Sequence, residues 1–142
     1  MLRHDVYAIP NGFREDEGGP MVLLHWDGSR WSKVAGGDFG FGGNPLEQMS
    51  SDGRGGLWIP MPGGGGQKSY LLHYSPSSSG SSSGSSSGGQ LTAAALPGGP
   101  LRINVLTVAL IPGTTSMLAA GFTHASADPS KNLTGVLLQY GM

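Results

Sequence analysis

Short apolar runs broken by glycine, proline and serine dominate this chain, and no window sustains a helical period of useful length. "MVLLHWDGSRWSKV" (Met21 to Val34) holds two β-rich runs around Asp27-Gly28-Ser29-Arg30. A polar Asp-Gly segment between such runs predicts a β-hairpin. The tetrapeptide Leu-Leu-His-Trp at 23–26 returns as Leu-Leu-His-Tyr at 71–74 and as Leu-Leu-Gln-Tyr at 137–140. "SYLLHY" (Ser69 to Tyr74) opens a second hairpin, and "QLTAAALP" (Gln90 to Pro97) reads as its returning strand. Ser75 to Gly89 between them is a Ser/Gly tract, predicted to be a flexible insertion whose length adds little closure entropy.

Upstream of each tetrapeptide stands another short apolar run: "DVYAIPNG" (5–12), "GLWIPMPG" (56–63) and "SMLAAGFT" (116–123). Ahead of the last two comes one more, "PLEQMSSD" (45–52) and "INVLTVALIPGT" (103–114). The predicted unit therefore has four antiparallel strands and recurs roughly every 50 residues once most of the Ser/Gly tract is set aside, the pattern of a β-propeller blade. The expected fold is all-β: a partial β-propeller with about two complete four-stranded blades and partial blades at both ends. Residues 1–44 would close one blade, 45–100 form the second with its insertion at 75–89, and 101–142 form a third, incomplete one. Blades stack face to face, so the tetrapeptide strand is expected to be covered on both sides. A closed ring needs on the order of 180 residues. This chain is accordingly read as a piece of a larger propeller, or as one that closes by self-association.

Composition supports the absence of helices and narrows the partners. Of 142 residues, 26 are glycine and 10 proline, both poor in helix interiors. Charged residues make up 12% and the net charge is −1, which gives no electrostatic footprint for nucleic acid or an anionic membrane. With no cysteine there is neither a disulfide framework nor a thiolate metal site. "MLRHDVYAIPNG" has no signal-peptide core, and no apolar run approaches the ~20 residues that span a bilayer.

Candidate chemistry is sparse. His25 and His73 hold the same place in two tetrapeptides, where packing is the favoured reading and metal ligation across one channel the alternative. The third tetrapeptide has Gln139 there, and His4 and His124 lack ligand-spaced partners. Glu15, Asp16 and Glu17 form an acidic loop that reads as a solvated turn, with Ca²⁺ binding as the alternative. Asp27 and Asp52 are expected to cap backbone N–H groups in hairpin turns. Glu47 and Asp52 lie in a region where a glycosidase pair would fit, yet Arg3, Arg14, Arg30, Arg54 and Arg102 are scattered rather than clustered for a sugar carboxylate. No serine sits in a Gly-x-Ser-x-Gly elbow. The run Gly63–Gly66 lacks the strand–turn–helix context of a phosphate loop, and "NLT" (132–134) is a bare glycosylation sequon. Trp26, Trp31 and Trp58 are read as packing between blades, with stacking on sugars as the alternative.

"SSDGRGGLWIP" (Ser50 to Pro60) resembles the Asp-Gly-x-Gly-x-Leu-Trp turn of two-component-regulator-type propeller repeats, and is close to the Asp-box of sialidase-like propellers with one extra residue. The matching positions are Asp52, Gly53, Gly55, Leu57 and Trp58. "LLHWDGSRWSKV", "VLTVALIPGTTSMLAAG" and "GVLLQYG" are together similar to repeats of uncharacterised actinobacterial propellers. The resemblance implies that Asp52 and the glycines shape a turn and that Trp58 packs between blades. It implies a protein that is commonly extracellular or at the cell surface, and it assigns no active site. The third unit departs from it, since "PGTTSMLAAG" (112–121) has neither Asp nor Trp. The expected function is a non-catalytic binding or scaffold module without cofactor, taking a peptide, glycan or protein on its loops. The alternatives are a degenerate sialidase- or glycosidase-like propeller and the sensor portion of a two-component regulator.

Overall fold

The computed structural model describes residues 6–10, 21–37, 48–61, 69–77, 88–97, 103–124 and 133–141, and these form ten strands and no helix. β1 (Val6–Ala8), β2 (Met21–Trp26) and β3 (Trp31–Gly37) make a first sheet. β4 (Ser50–Ser51), β5 (Leu57–Met61), β6 (Tyr70–Ser75) and β7 (Gln90–Ala93) make the middle sheet. β8 (Ile103–Leu110), β9 (Met117–His124) and β10 (Leu133–Tyr140) make the third. Every pairing is antiparallel and joins chain neighbours, so each sheet is an open meander. Among the described residues no closed sheet is found. Among those residues the four-stranded arrangement is complete once, in the middle sheet, against an expectation of about two complete blades. The flanking sheets have three strands each among the described residues, where β10 pairs only with β9.

The three tetrapeptides fall on β2, β6 and β10 in one common register. Their third residues face Tyr7, Trp58 and Leu118 across the sheet, and their last residues face Val6, Leu57 and Met117. Side chains alternate along a strand, so the first and third positions share one face and the second and fourth the other. Leu23 of the first sheet is buried in one cluster with Leu72 and Tyr74 of the middle sheet. Leu71, on the opposite face of the middle sheet, is buried with Val105, Met117 and Ala119, and Leu138 and Tyr140 of β10 pack against that second cluster. The core is thus two apolar layers separated by the middle sheet.

That position explains where two-sided coverage holds and where it fails. All five residues of β5 are buried, and Leu71 and Leu72 have no exposure at all. β2 and β10 alternate in burial, contrary to the expectation for a covered strand, because each belongs to a sheet with a neighbour on one face. Pro60 sits inside β5 without breaking it. The Leu71 carbonyl opposite accepts the Ala94 N–H at 2.8 Å on the side away from β5, so Pro60 and Leu71 exchange no hydrogen bonds. The donor that proline lacks would point where β4, paired only with Leu57 and Trp58, has already ended.

Polar contacts fix the third sheet against the middle one. The buried Ser69 hydroxyl donates to the Met61 carbonyl (3.2 Å) and accepts the Val105 N–H (3.3 Å). Ser50 Oγ accepts the Leu110 N–H at 3.0 Å, and Thr107 Oγ1 donates to Gln48 Oε1 at 2.6 Å. The Ser69 and Ser50 hydroxyls thus occupy two backbone donors of β8 that would otherwise be free to pair with another strand.

The β2–β3, β4–β5, β6–β7 and β8–β9 connections all turn at the end of the sheets where the tetrapeptides finish. The β6–β7 connection is much the longest, with the strands re-pairing at Ser75↔Gln90. Replacing residues 76–89 by a four-residue Asp-Gly turn is expected to raise stability by about 1 kcal/mol in urea denaturation, the closure entropy recovered from the shorter loop.

Candidate functional site

The densest polar constellation is built on the β4–β5 turn. Asp52 Oδ1 accepts the N–H groups of Arg54 (2.7 Å) and Gly56 (2.8 Å), and the Asp52 N–H donates to the Gly56 carbonyl at 3.0 Å. Gly53 and Gly55 adopt φ of 77° and 92°, where residues with a Cβ are strained. Gly56 admits no side chain for a different reason: its Cβ would meet the Asp52 carboxylate and the Tyr74 carbonyl. The second Asp52 oxygen, Oδ2, lies 2.9 Å from His73 Nε2. An ionised carboxylate only accepts, so the geometry assigns the ring proton to Nε2 and leaves Nδ1 as the acceptor for Ser75 Oγ at 3.4 Å.

Asp52 is 3% exposed, and burial by itself would raise its pKa. Hydrogen bonds from His73, Arg54 and Gly56 outweigh that effect and hold the carboxyl below its ordinary 3.8. Trp58 stacks on the His73 ring with centroids 4.4 Å apart and planes 26° apart, and meets Tyr140 of the third sheet at 5.9 Å. The Tyr140 hydroxyl donates to the Ala95 carbonyl at 3.0 Å. Trp58 Nε1 is buried with no hydrogen-bond partner, a donor left unpaired inside the layer between the sheets.

Ser75, His73 and Asp52 stand in the order of nucleophile, base and orienting acid. The Oγ–Nδ1 separation is longer than the reach of a general base in a working site. Asp52 also divides its oxygens between the ring and the turn. The arrangement first of all locks the turn onto β6.

The other expected residues fall as follows. Asp27 caps its turn, with Oδ1 accepting the Ser29 hydroxyl (2.8 Å), the Ser29 N–H (2.8 Å) and the Arg30 N–H (3.0 Å). Those bonds, the Ser29 hydroxyl foremost, lower its pKa to about 2. His25 packs on Tyr7 at 4.7 Å, facing the middle sheet, whereas His73 faces the third sheet. The two rings therefore enter different layers instead of converging on one channel. Among the described residues no group of three or more His, Cys, Asp or Glu is placed to hold a metal ion. Trp58 is packed between the middle and third sheets, whereas Trp31 is 48% exposed and lies tilted against Trp26, with centroids 5.6 Å and planes 46° apart, on the outer face of the first sheet. No second sheet covers that face within the described chain. Glu15, Asp16, Glu17, His4, Glu47, Arg3, Arg14, Arg102, Gly63–Gly66, Asn132 and residues 78–87 of the Ser/Gly tract lie outside the described residues.

The Asp52–His73–Ser75 line and the buried Ser69 bridge had no expectation from sequence. A hairpin alignment places His73 opposite Trp58, which is the available signal for the stack. No family model matches the chain, and neither a curated protein nor a solved structure matches it.

Proposed function

We propose that the three sheets are consecutive blades of a β-propeller and that the protein is a non-catalytic binding or scaffold module, with its ligand on the end where the hairpins turn. One observation carries the architectural half: the same face-to-face contact is made twice. The residue opposite the third tetrapeptide position, Tyr7 in one sheet and Trp58 in the next, meets the closing tyrosine of the following sheet, Tyr74 at 5.7 Å and Tyr140 at 5.9 Å. Two of the contacts between sheets join like strands, β3 with β7 and β4 with β8, while β5 and β6 also adjoin β8. The turn-bearing end offers Asp27, Ser29, Arg30 and Arg54, all exposed. Mixed charges and hydroxyls on a rim suit a peptide, glycan or protein surface better than a nucleic acid or membrane.

Two measurements test this reading. Double-mutant cycles on Tyr7/Tyr74 and on Trp58/Tyr140 are expected to give coupling energies of about 0.5–1.5 kcal/mol each, the range for aromatic pairs. Peptide and glycan arrays probed with the full chain are expected to show retention that Arg30→Ala and Arg54→Ala weaken, with no turnover of fluorogenic sialosides or glycosides. The Ser75–His73–Asp52 line favours a different alternative, an esterase rather than a glycosidase, because that order activates a serine for attack on a carbonyl, and nitrophenyl esters are the substrates that probe it. Turnover that disappears in a folded Ser75→Ala variant would establish it in place of the binding module.

A further inference from the structure

Both internal sheet contacts use the same two kinds of face. The face carrying the first and third tetrapeptide positions (Leu23 and His25, then Leu71 and His73) packs on the face carrying the second and fourth (Leu72 and Tyr74, then Leu138 and Tyr140). Three sheets make two such contacts and, among the described residues, leave one face of each kind uncovered. The third sheet keeps a first-and-third face, with Leu133, Leu137, Gln139, Leu118 and Ala120. The first sheet keeps a second-and-fourth face, with Val6, Ala8, Leu24, Trp26 and Trp31.

Apolar exposure collects on these two faces. Five large hydrophobic residues are exposed among the described ones, and four of them are Val6 (45%), Trp31 (48%), Leu133 (55%) and Leu137 (68%). The fifth, Leu106, sits at the bulge in β8 between Val105 and Thr107. Residue sizes are complementary as well. Where the internal contacts set Tyr7 or Trp58 against a tyrosine, the free faces offer the smaller Leu118 on one side and the larger Trp26–Trp31 pair on the other.

We infer that the outer face of the first sheet docks on the outer face of the third sheet of a second copy of this chain, head to tail, and that two copies close into a ring of six sheets. The inference rests on the propeller reading above and names the partner that reading requires. A head-to-tail contact generates a ring when its rotation closes. Rings of roughly four to eight blades are usual, and two sets of the three described sheets, six in all, fall within that range.

The test uses the full chain in size-exclusion chromatography with light scattering. The wild type is expected at twice the single-chain mass of 14.6 kDa. Val6→Lys and Leu137→Glu, on opposite faces, should each bring it to the single-chain mass. An equimolar mixture of the two should restore the doubled mass, because one of its two contacts is then entirely wild type and the other sets Lys against Glu. Both positions are exposed, and a retained β-sheet circular dichroism spectrum certifies that each variant is folded. A dimer that survives either variant, or that only one of them splits, means a like-on-like contact and overturns the proposal. So does mass that grows without limit, which marks an open filament. A wild-type chain of single mass that keeps both aromatic couplings defeats the second copy and leaves the blade reading standing. A single mass with those couplings absent defeats both.

Discussion

Replacing Asp52 by alanine is expected to lower the unfolding free energy by about 3 kcal/mol, because one buried carboxylate accepts three hydrogen bonds and its loss strands their donors. The Gly56 N–H is buried and the Arg54 N–H partly so, and His73 would lose the anion that orients its ring. Asp52→Asn is the informative companion. Its side-chain oxygen can still serve the turn while the charge is gone, so about half the loss should return. Acid separates the variants further. The folded pKa lies below the ordinary 3.8, so the carboxylate's contribution is complete above about pH 5 and is lost as pH falls through the folded value. Urea titrations at pH 6 and pH 3 should therefore differ more for wild type than for Asp52→Asn. Equal differences would show that the carboxylate is not held by the partners described.

Trp58→Ala should cost more still, about 4 kcal/mol, by emptying the layer between the middle and third sheets. The indole touches both His73 and Tyr140, so its removal unseats the ring that Asp52 holds as well as the contact to β10. Trp58→Phe should cost only about 1 kcal/mol, since the indole N–H has no partner to lose. Hydrogen exchange gives the spatial readout. Protection should fall first in β8–β10 for Trp58→Ala, with β2 and β3 less affected because they pack on the other face of the middle sheet. A uniform fall across all three sheets would mean that the two layers do not open separately.

Much of the architecture is legible in the residues, for physical reasons. Apolar runs too short for helices, with Gly and Pro between them, leave strands as the way to bury Leu71, Leu72 and Ile59. The tetrapeptide marks equivalent strands because a strand's face assignment repeats every second residue, and three copies of one word must expose the same alternation. How far each copy is covered is not legible in the word. "VLLHW" and "YLLHY" look alike, yet only the second has sheets on both sides. Trp31 is no better guide, since a tryptophan carries no information about whether another sheet faces it. At the site, the capping by Asp27 and Asp52 follows from turn chemistry close in sequence. The Asp52–His73 contact spans 21 positions and depends on how far the β4–β5 turn folds back over β6, which no local pattern encodes.

Among the described residues β10 pairs with β9 alone, and this has a consequence for handling the protein. Leu133 to Tyr140 contains no charged residue and no proline, and its outer row of peptide groups faces away from β9. Sequences of that kind recruit further extended segments, and the usual gatekeeping devices are missing from this one. Concentrated stocks should accordingly lose material by accretion along that border, and a lysine placed within it would act as a guard.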